Sequence, residues 1–109
     1  MTTTATFDID ALRTAAADAC RLMKTLSNPD RLLLLCQITT GERCVSELEA
    51  LTGIGQPTLS QQLSVLRAQG LVETRREGKH IYYSISSPQT LALMQTLYEQ
   101  FCPQTHSGS

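Results

Sequence analysis

The stretch from Gly53 to Ile85, GIGQPTLSQQLSVLRAQGLVETRREGKHIYYSI, leaves the chain few ways to fold. It opens in a Gly-bounded turn, continues as a helical pattern of about four turns, and closes with two β-type runs across a basic tip. Leu59, Leu63 and Leu66 fall at i, i+4 and i+7, so they share one face and can dock on the body of the protein. Thr58, Gln61 and Ser64 lie roughly opposite, with Gln56 and Ser60 near the helix start. Pro57 suits the first turn, where its missing N–H is not needed, and Gly70 is placed as the C-terminal cap. Residues 71 to 76 (LVETRR) and 80 to 85 (HIYYSI) flank Glu77, Gly78 and Lys79, which predicts a hairpin with a short Gly-containing loop.

These residue types suit a nucleic-acid groove. Gln pairs bidentately with adenine, Ser and Thr hydroxyls reach base edges or phosphates, and a helix N-terminus favours a nearby phosphate. An ordinary solvent-facing helix rich in Ser, Thr and Gln would carry the same pattern, and a basic turn is usually only solvated. The two together point further. Arg75, Arg76, Lys79 and His80 on the hairpin can follow phosphates while Gln56, Thr58, Ser60, Gln61 and Ser64 read the groove.

In this order, SELEALTGIGQPTLSQQLSVLRAQGLVETRREGKHIYYSI resembles the winged helix-turn-helix of the ArsR/SmtB repressors. The run TLSNPDRLLLL and the block SQQLSVLRAQGLV match the family as well, and the resemblance spans about residues 10 to 102. It implies a mainly α fold with a small β-hairpin, in the order ααααββα, dimeric through its first and last helices. It also implies double-stranded operator DNA as partner and no cofactor.

Length and charge set the bounds. A chain of 109 residues makes one domain, and a dimer interface would help so small a core. Net charge is −1, with five basic and seven acidic residues up to Gly55 and four basic and three acidic after it. Attraction to nucleic acid must therefore be local, in the hairpin. The opening MTTTATFDID lacks a basic n-region followed by an apolar core, and nowhere do about 18 apolar residues run together. The expectation is a cytoplasmic protein with no membrane partner.

Residues 1–7 read as a disordered arm, residues 8–102 as the folded domain and residues 103–109 as a disordered tail. A first helix covers 8 to 26, with Leu12, Ala16, Ala19, Met23 and Leu26 on one face. Ser27 or Asn28 caps a second helix with Pro29 in its first turn, and DRLLLLCQI is apolar nearly all round, as a central helix would be. A short third helix from Ser46 to Leu51 and the turn Thr52 to Gly55 complete a helix-turn-helix pattern. A last helix runs from Ser87-Pro88 to about Phe101, with Leu93, Met94, Leu97, Tyr98 and Phe101 clustered and Pro103 beyond it.

Four cysteines remain to be placed: Cys20, Cys36, Cys44 and Cys102. In a reducing compartment they serve packing, metal binding or redox sensing rather than standing disulfides. No CxxC occurs, and a single Cys is most often a small buried hydrophobe. Cys36 and Cys102 are 66 residues apart, so spacing alone does not bring them together. The runs LLLLCQI and LYEQFC, with GIGQPTLSQQL, resemble the BigR/SqrR-type branch of the family, which senses reactive sulfur species. The resemblance implies that Cys36 and Cys102 form the sensing dithiol and that persulfide or polysulfide is the effector.

Other chemistries have less behind them. The arsenic- and cadmium-sensing branch carries an ELCVCDL-like motif, where this chain has ERCVSEL, leaving one thiolate where two or three are needed. Between Ser87 and Cys102 there is no His or Asp, and Glu99 is the only acid, so the zinc-sensing ligand set is missing too and no metal is expected. The histidines, His80 and His106, make no nucleophile–base pair. A thiol sulfurtransferase is the rival from another class, but it would want an exposed Cys in an anion-cradling loop, whereas Cys36 sits on an apolar helix. Among repressors, a member answering to general oxidants or to a thiophilic metal is the alternative.

Overall fold

The computed structural model describes residues 8–102, so the proposed arm, tail and the stop at Pro103 lie outside it. Helix α1 (Ile9–Leu26) starts where the Asp8 carboxylate accepts the Asp10 N–H, and it ends with Ser27 Oγ donating to the Lys24 carbonyl at 2.7 Å. Asn28 then caps helix α2 (Pro29–Thr39) by accepting the Arg31 N–H, and Pro29 takes the first position, where no donor is required.

Strand β1 (Arg43–Cys44) leads into helix α3 (Val45–Thr52), which Gly53 terminates in a left-handed conformation. Helix α4 (Thr58–Ala68) follows a turn through Gln56 and Pro57. The helix is thus shorter than the pattern predicts, with Pro57 at the N-cap rather than inside the first turn. At the other end Gly70 sits at φ +76, donating to the Arg67 carbonyl while Leu71 donates to that of Leu66. This is a Schellman closure, and the buried pair Leu66 and Leu71 supplies its apolar contact.

Strands β2 (Val72–Glu77) and β3 (His80–Ile85) form the hairpin, and helix α5 (Pro88–Phe101) begins with the Ser87 hydroxyl accepting the Thr90 N–H. Glu77 pairs with His80, so the loop is two residues rather than three. Gly78 at φ +62, with no positive φ at Lys79, is the arrangement of a II′ turn, whose twist matches the strands. The sheet also has a third strand that the sequence pattern does not reveal. β1 pairs antiparallel with β3, Arg43 opposite Tyr83 and Cys44 opposite Tyr82, giving the order β1-β3-β2.

The core gathers Leu34, Leu35 and Ile38 of α2, Leu48 of α3, Leu59, Leu63 and Leu66 of α4, Leu71 and Val72 at the start of the hairpin, and Met94 of α5. Helix α2 lies at its centre, packed against α1, α3, α4, α5 and β3, although Leu33 faces outward. No helix among the described residues is long and apolar enough to cross a membrane. Leu66 has no solvent exposure, so Leu66→Ala is expected to lower unfolding free energy by roughly 2–5 kcal/mol in a urea titration. A loss below about 1 kcal/mol would mean that this seam does not hold α4 in place.

Candidate nucleic-acid interface and dithiol

Because Leu59, Leu63 and Leu66 are buried, α4 turns its opposite side outward: Ser60, Gln61 and Ser64 are exposed and Thr58 is half-buried. Gln56 lies ahead of the helix, and its Oε1 accepts the Ser60 N–H at 3.2 Å, satisfying one donor of the first turn. Among the described residues its amide nitrogen makes no hydrogen bond. The exposed surface at the start of α4 thus offers hydroxyls and amides with no acidic residue in the first turn, while the N–H groups of Leu59, Ser60 and Gln61 already donate to Gly55, Gln56 and Pro57.

Four hairpin residues were candidates for phosphate contact, and they sit in different environments. Arg75 Nε reaches both Glu42 carboxylate oxygens at 3.0 and 2.9 Å, its Nη1 meets Glu77 at 2.6 Å, and its guanidinium lies 4.7 Å from the Tyr82 ring centre. Hydrogen bonds that Arg75 donates to Glu42 and then to Glu77 push its pKa further up, and Arg75 in turn holds the Glu77 carboxyl below its usual range. Much of this charge is offset within the protein. Among the described residues, ion pairs leave Arg76 and Lys79 without a carboxylate. His80, beside the tip, tilts against Tyr82 with ring centres 6.2 Å apart.

Helix α5 packs on α2, and Cys36 on α2 and Cys102 just past the end of α5 are both half-buried and near enough for the charge of one to act on the other. Burial, first, and the negative charge of a Cys102 thiolate, second, push the Cys36 thiol up from its ordinary value. Next to Cys36 opens a cleft of about 510 Å³ lined by Thr39, Thr40, Met94, Gln95, Tyr98 and Glu99, wide enough to admit a small molecule to the thiol. The other two cysteines are apart from this pair in kind. Cys20 is exposed on α1. Cys44 is buried at the head of α3, where its N–H donates to Glu47 Oε1 at 2.9 Å and its Sγ lies 3.3 Å from Ser46 Oγ. That N–H holds the Glu47 carboxyl below its usual range. Among the described residues, no three His, Cys, Asp or Glu side chains gather as a metal site requires.

One residue pair escaped the sequence reading. Arg31, in the first turn of α2, donates from Nε to the Thr25 carbonyl at 2.7 Å and from Nη1 to Gln62 Oε1 at 3.0 Å. The available signal was an arginine at the head of an otherwise apolar helix, where a half-buried guanidinium must find acceptors.

A small-polar helix presented by a leucine seam, with a turn and short helix before it and a hairpin after it, defines the winged helix-turn-helix class. The model of the bacterial regulatory protein arsR family matches residues 28–74. The Biofilm growth-associated repressor of Xylella fastidiosa is 52% identical over 89 residues, covering 82% of this chain and 78% of that protein. The crystal structure of the transcriptional repressor BigR from Xylella fastidiosa superposes with a TM-score of 0.81 at 47% identity, covering 90% of this chain and 100% of that one. The homodimeric winged helix-turn-helix DNA-binding domain from Mycobacterium bovis gives 0.69 at 31% identity, covering 95% and 96%. The chain belongs to the arsR family; it is a regulatory protein and not an enzyme.

Two measurements follow from this geometry. Gln61→Ala is expected to cost roughly 1–3 kcal/mol on a cognate duplex and little on random DNA, if Gln61 makes a bidentate base contact. Arg76→Ala and Lys79→Ala should instead weaken binding on every sequence and lower the salt slope by about 1 each; equal losses of Gln61→Ala on both DNAs would remove it from base reading. For the thiols, the Cys36 alkylation rate followed by peptide mass spectrometry should rise with an alkaline midpoint above that of an ordinary thiol. In Cys102→Ser the midpoint should fall, because one of its two causes is gone, yet stay above ordinary because burial remains. An unchanged midpoint would separate the two thiols.

Proposed function

We propose that the chain is a homodimeric transcriptional repressor of the cytoplasm that binds double-stranded operator DNA and releases it when Cys36 and Cys102 become linked by persulfide or polysulfide. Release derepresses genes for sulfide detoxification. The observation that carries the reading is that Cys36, beside an open cleft on α2, lies within electrostatic reach of Cys102 at the end of α5, on a frame whose α4 offers Ser60, Gln61 and Ser64 outward. The named repressor of Xylella fastidiosa, so similar over most of its length, supports repression.

Dimerisation is supported by what α1 and α5 leave uncovered. Ile9, Leu12 and Met23 of α1 are 58%, 45% and 55% exposed, and Tyr98 and Phe101 of α5 are 55% and 81% exposed. Apolar side chains at this density on the two terminal helices fit a second copy better than water. Each copy then presents one α4, and two half-sites one helical turn apart fix the spacing the dimer must hold.

The chemistry balances without a further reagent. A cysteine thiolate attacks the outer sulfur of a persulfide RSSH, forming Cys–SSH and releasing RS⁻. The second thiolate attacks the cysteine-bound sulfur of that persulfide, forming the Cys36–Cys102 disulfide and releasing HS⁻; the dithiol loses two electrons, and the sulfane sulfur gains them. Extra sulfane sulfur inserted between the two would lengthen the bridge and span a larger gap than the roughly 7 Å limit for the Cα atoms of a direct disulfide. Because α2 is the core helix and α5 a proposed dimer helix, a covalent link between them changes how the two reading heads are held.

The test is an operator-binding titration of reduced protein, repeated after persulfide, disulfide and peroxide treatment, with intact mass and sedimentation recorded on each sample. Release should follow persulfide, track a Cys36–Cys102 link and disappear in Cys36→Ser and in Cys102→Ser, with the reduced protein sedimenting as a dimer. Equal release by peroxide would replace sulfur with general oxidants as the effector. Affinity that ignores all three reagents and falls with a thiophilic metal would move attention to Cys44.

A further inference from the structure

We propose that Arg31 is a positioning residue for DNA reading: its guanidinium fastens α4 to the corner between α1 and α2 and so sets the angle at which α4 meets the duplex. The inference rests on the DNA-binding reading above and adds to it a residue that touches no DNA.

The geometry is a three-way tie. The Arg31 backbone N–H is held by Asn28 Oδ1 at 3.1 Å, which fixes the start of α2. Its Nε donates to the Thr25 carbonyl in the last turn of α1, a group that has no partner inside its own helix and lies at the negative end of the helix dipole. Its Nη1 donates to Gln62 on α4, one residue from Gln61 and on the half-buried flank of that helix. Among the described residues no carboxylate pairs with Arg31, so its charge is met by neutral oxygens on the two helices it joins. Hydrogen bonds from a charged donor are stronger than neutral ones and hold direction.

The leucine seam presses α4 onto the core, but apolar packing is non-directional and tolerates small rotations. A fork with two fixed donors does not. The planar guanidinium can serve Thr25 and Gln62 together, whereas a lysine at this position could serve one of them well. Since α1 carries the apolar face offered to a second copy, the tie also connects the dimer side of the molecule to the reading side.

The experiment uses a duplex enriched from a random library by the wild-type protein, and a scrambled duplex of the same composition, each titrated across salt. Arg31→Met, near in shape and without charge, should weaken the enriched duplex roughly tenfold, with under twofold change on the scrambled one and an unchanged salt slope. Arg31→Lys should recover less than half of that loss, and Gln62→Leu should weaken binding without further effect from Arg31→Met in the double variant. Circular dichroism melts accompany each protein; should Arg31→Met not fold, Arg31→Lys and Gln62→Leu carry the comparison. A shallower salt slope with full recovery in Arg31→Lys would make Arg31 a phosphate contact and overturn the proposal, as would additive losses in the double variant. A wild-type protein that enriches no duplex would overturn the DNA reading and this inference with it.

Discussion

Everything this molecule presents outward depends on three leucines pointing inward. Leu59, Leu63 and Leu66 are shut off from solvent against a core built around α2. A helix has only one circumference, so burying one side decides which residues face away. With the seam in place, Ser60, Gln61 and Ser64 are held on a rigid element rather than a loop. The Schellman closure at Gly70 extends this order into the hairpin, because Leu71 leaves the helix already inside the core.

Helix α2 is where the molecule's different concerns meet. Its first turn holds Arg31, its middle buries Leu34 and Leu35, and its second half exposes one side of Cys36 to a cleft. Beyond its end Arg43 returns to the Gln37 carbonyl and to Thr40, and Glu42 reaches across to Arg75 on the hairpin. A disturbance at Cys36 is therefore never far from a group that touches either α4 or the sheet. The exposed ion pairs in this chain of contacts contribute little stability on their own; their value is in direction.

The sequence made the local elements legible and left the long-range ones unread. Period 3.6 in the leucines and two β-type runs flanking Gly78 located α4 and the hairpin, and Asn28-Pro29 and Ser87-Pro88 marked two helix starts because capping chemistry is written in adjacent residues. Strand β1 is two residues long, too short to carry any periodicity. The partners of Arg75 include Glu42, 33 positions away, so a residue that looks like a ready cation in the hairpin is already engaged. The same limit applied to Cys36 and Cys102, 66 positions apart, whose electrostatic influence on each other arises only once α5 packs on α2. The α1 stripe was plain from spacing, but its burial was not: spacing tells that a face is apolar and is silent on whether the same chain covers it.

The short strand β1 has an effect beyond adding a rung to the sheet. By pairing with β3 it leaves β2 as the long outer edge of the wing, and an open edge is a template on which other chains can stack. Along that edge run Glu73, Arg75 and Glu77, alternating in sign, followed by the tight Gly78 turn. An approaching strand would have to strip water from these charges before it could pair. The charges that line this edge therefore guard the sheet against strand-to-strand self-association.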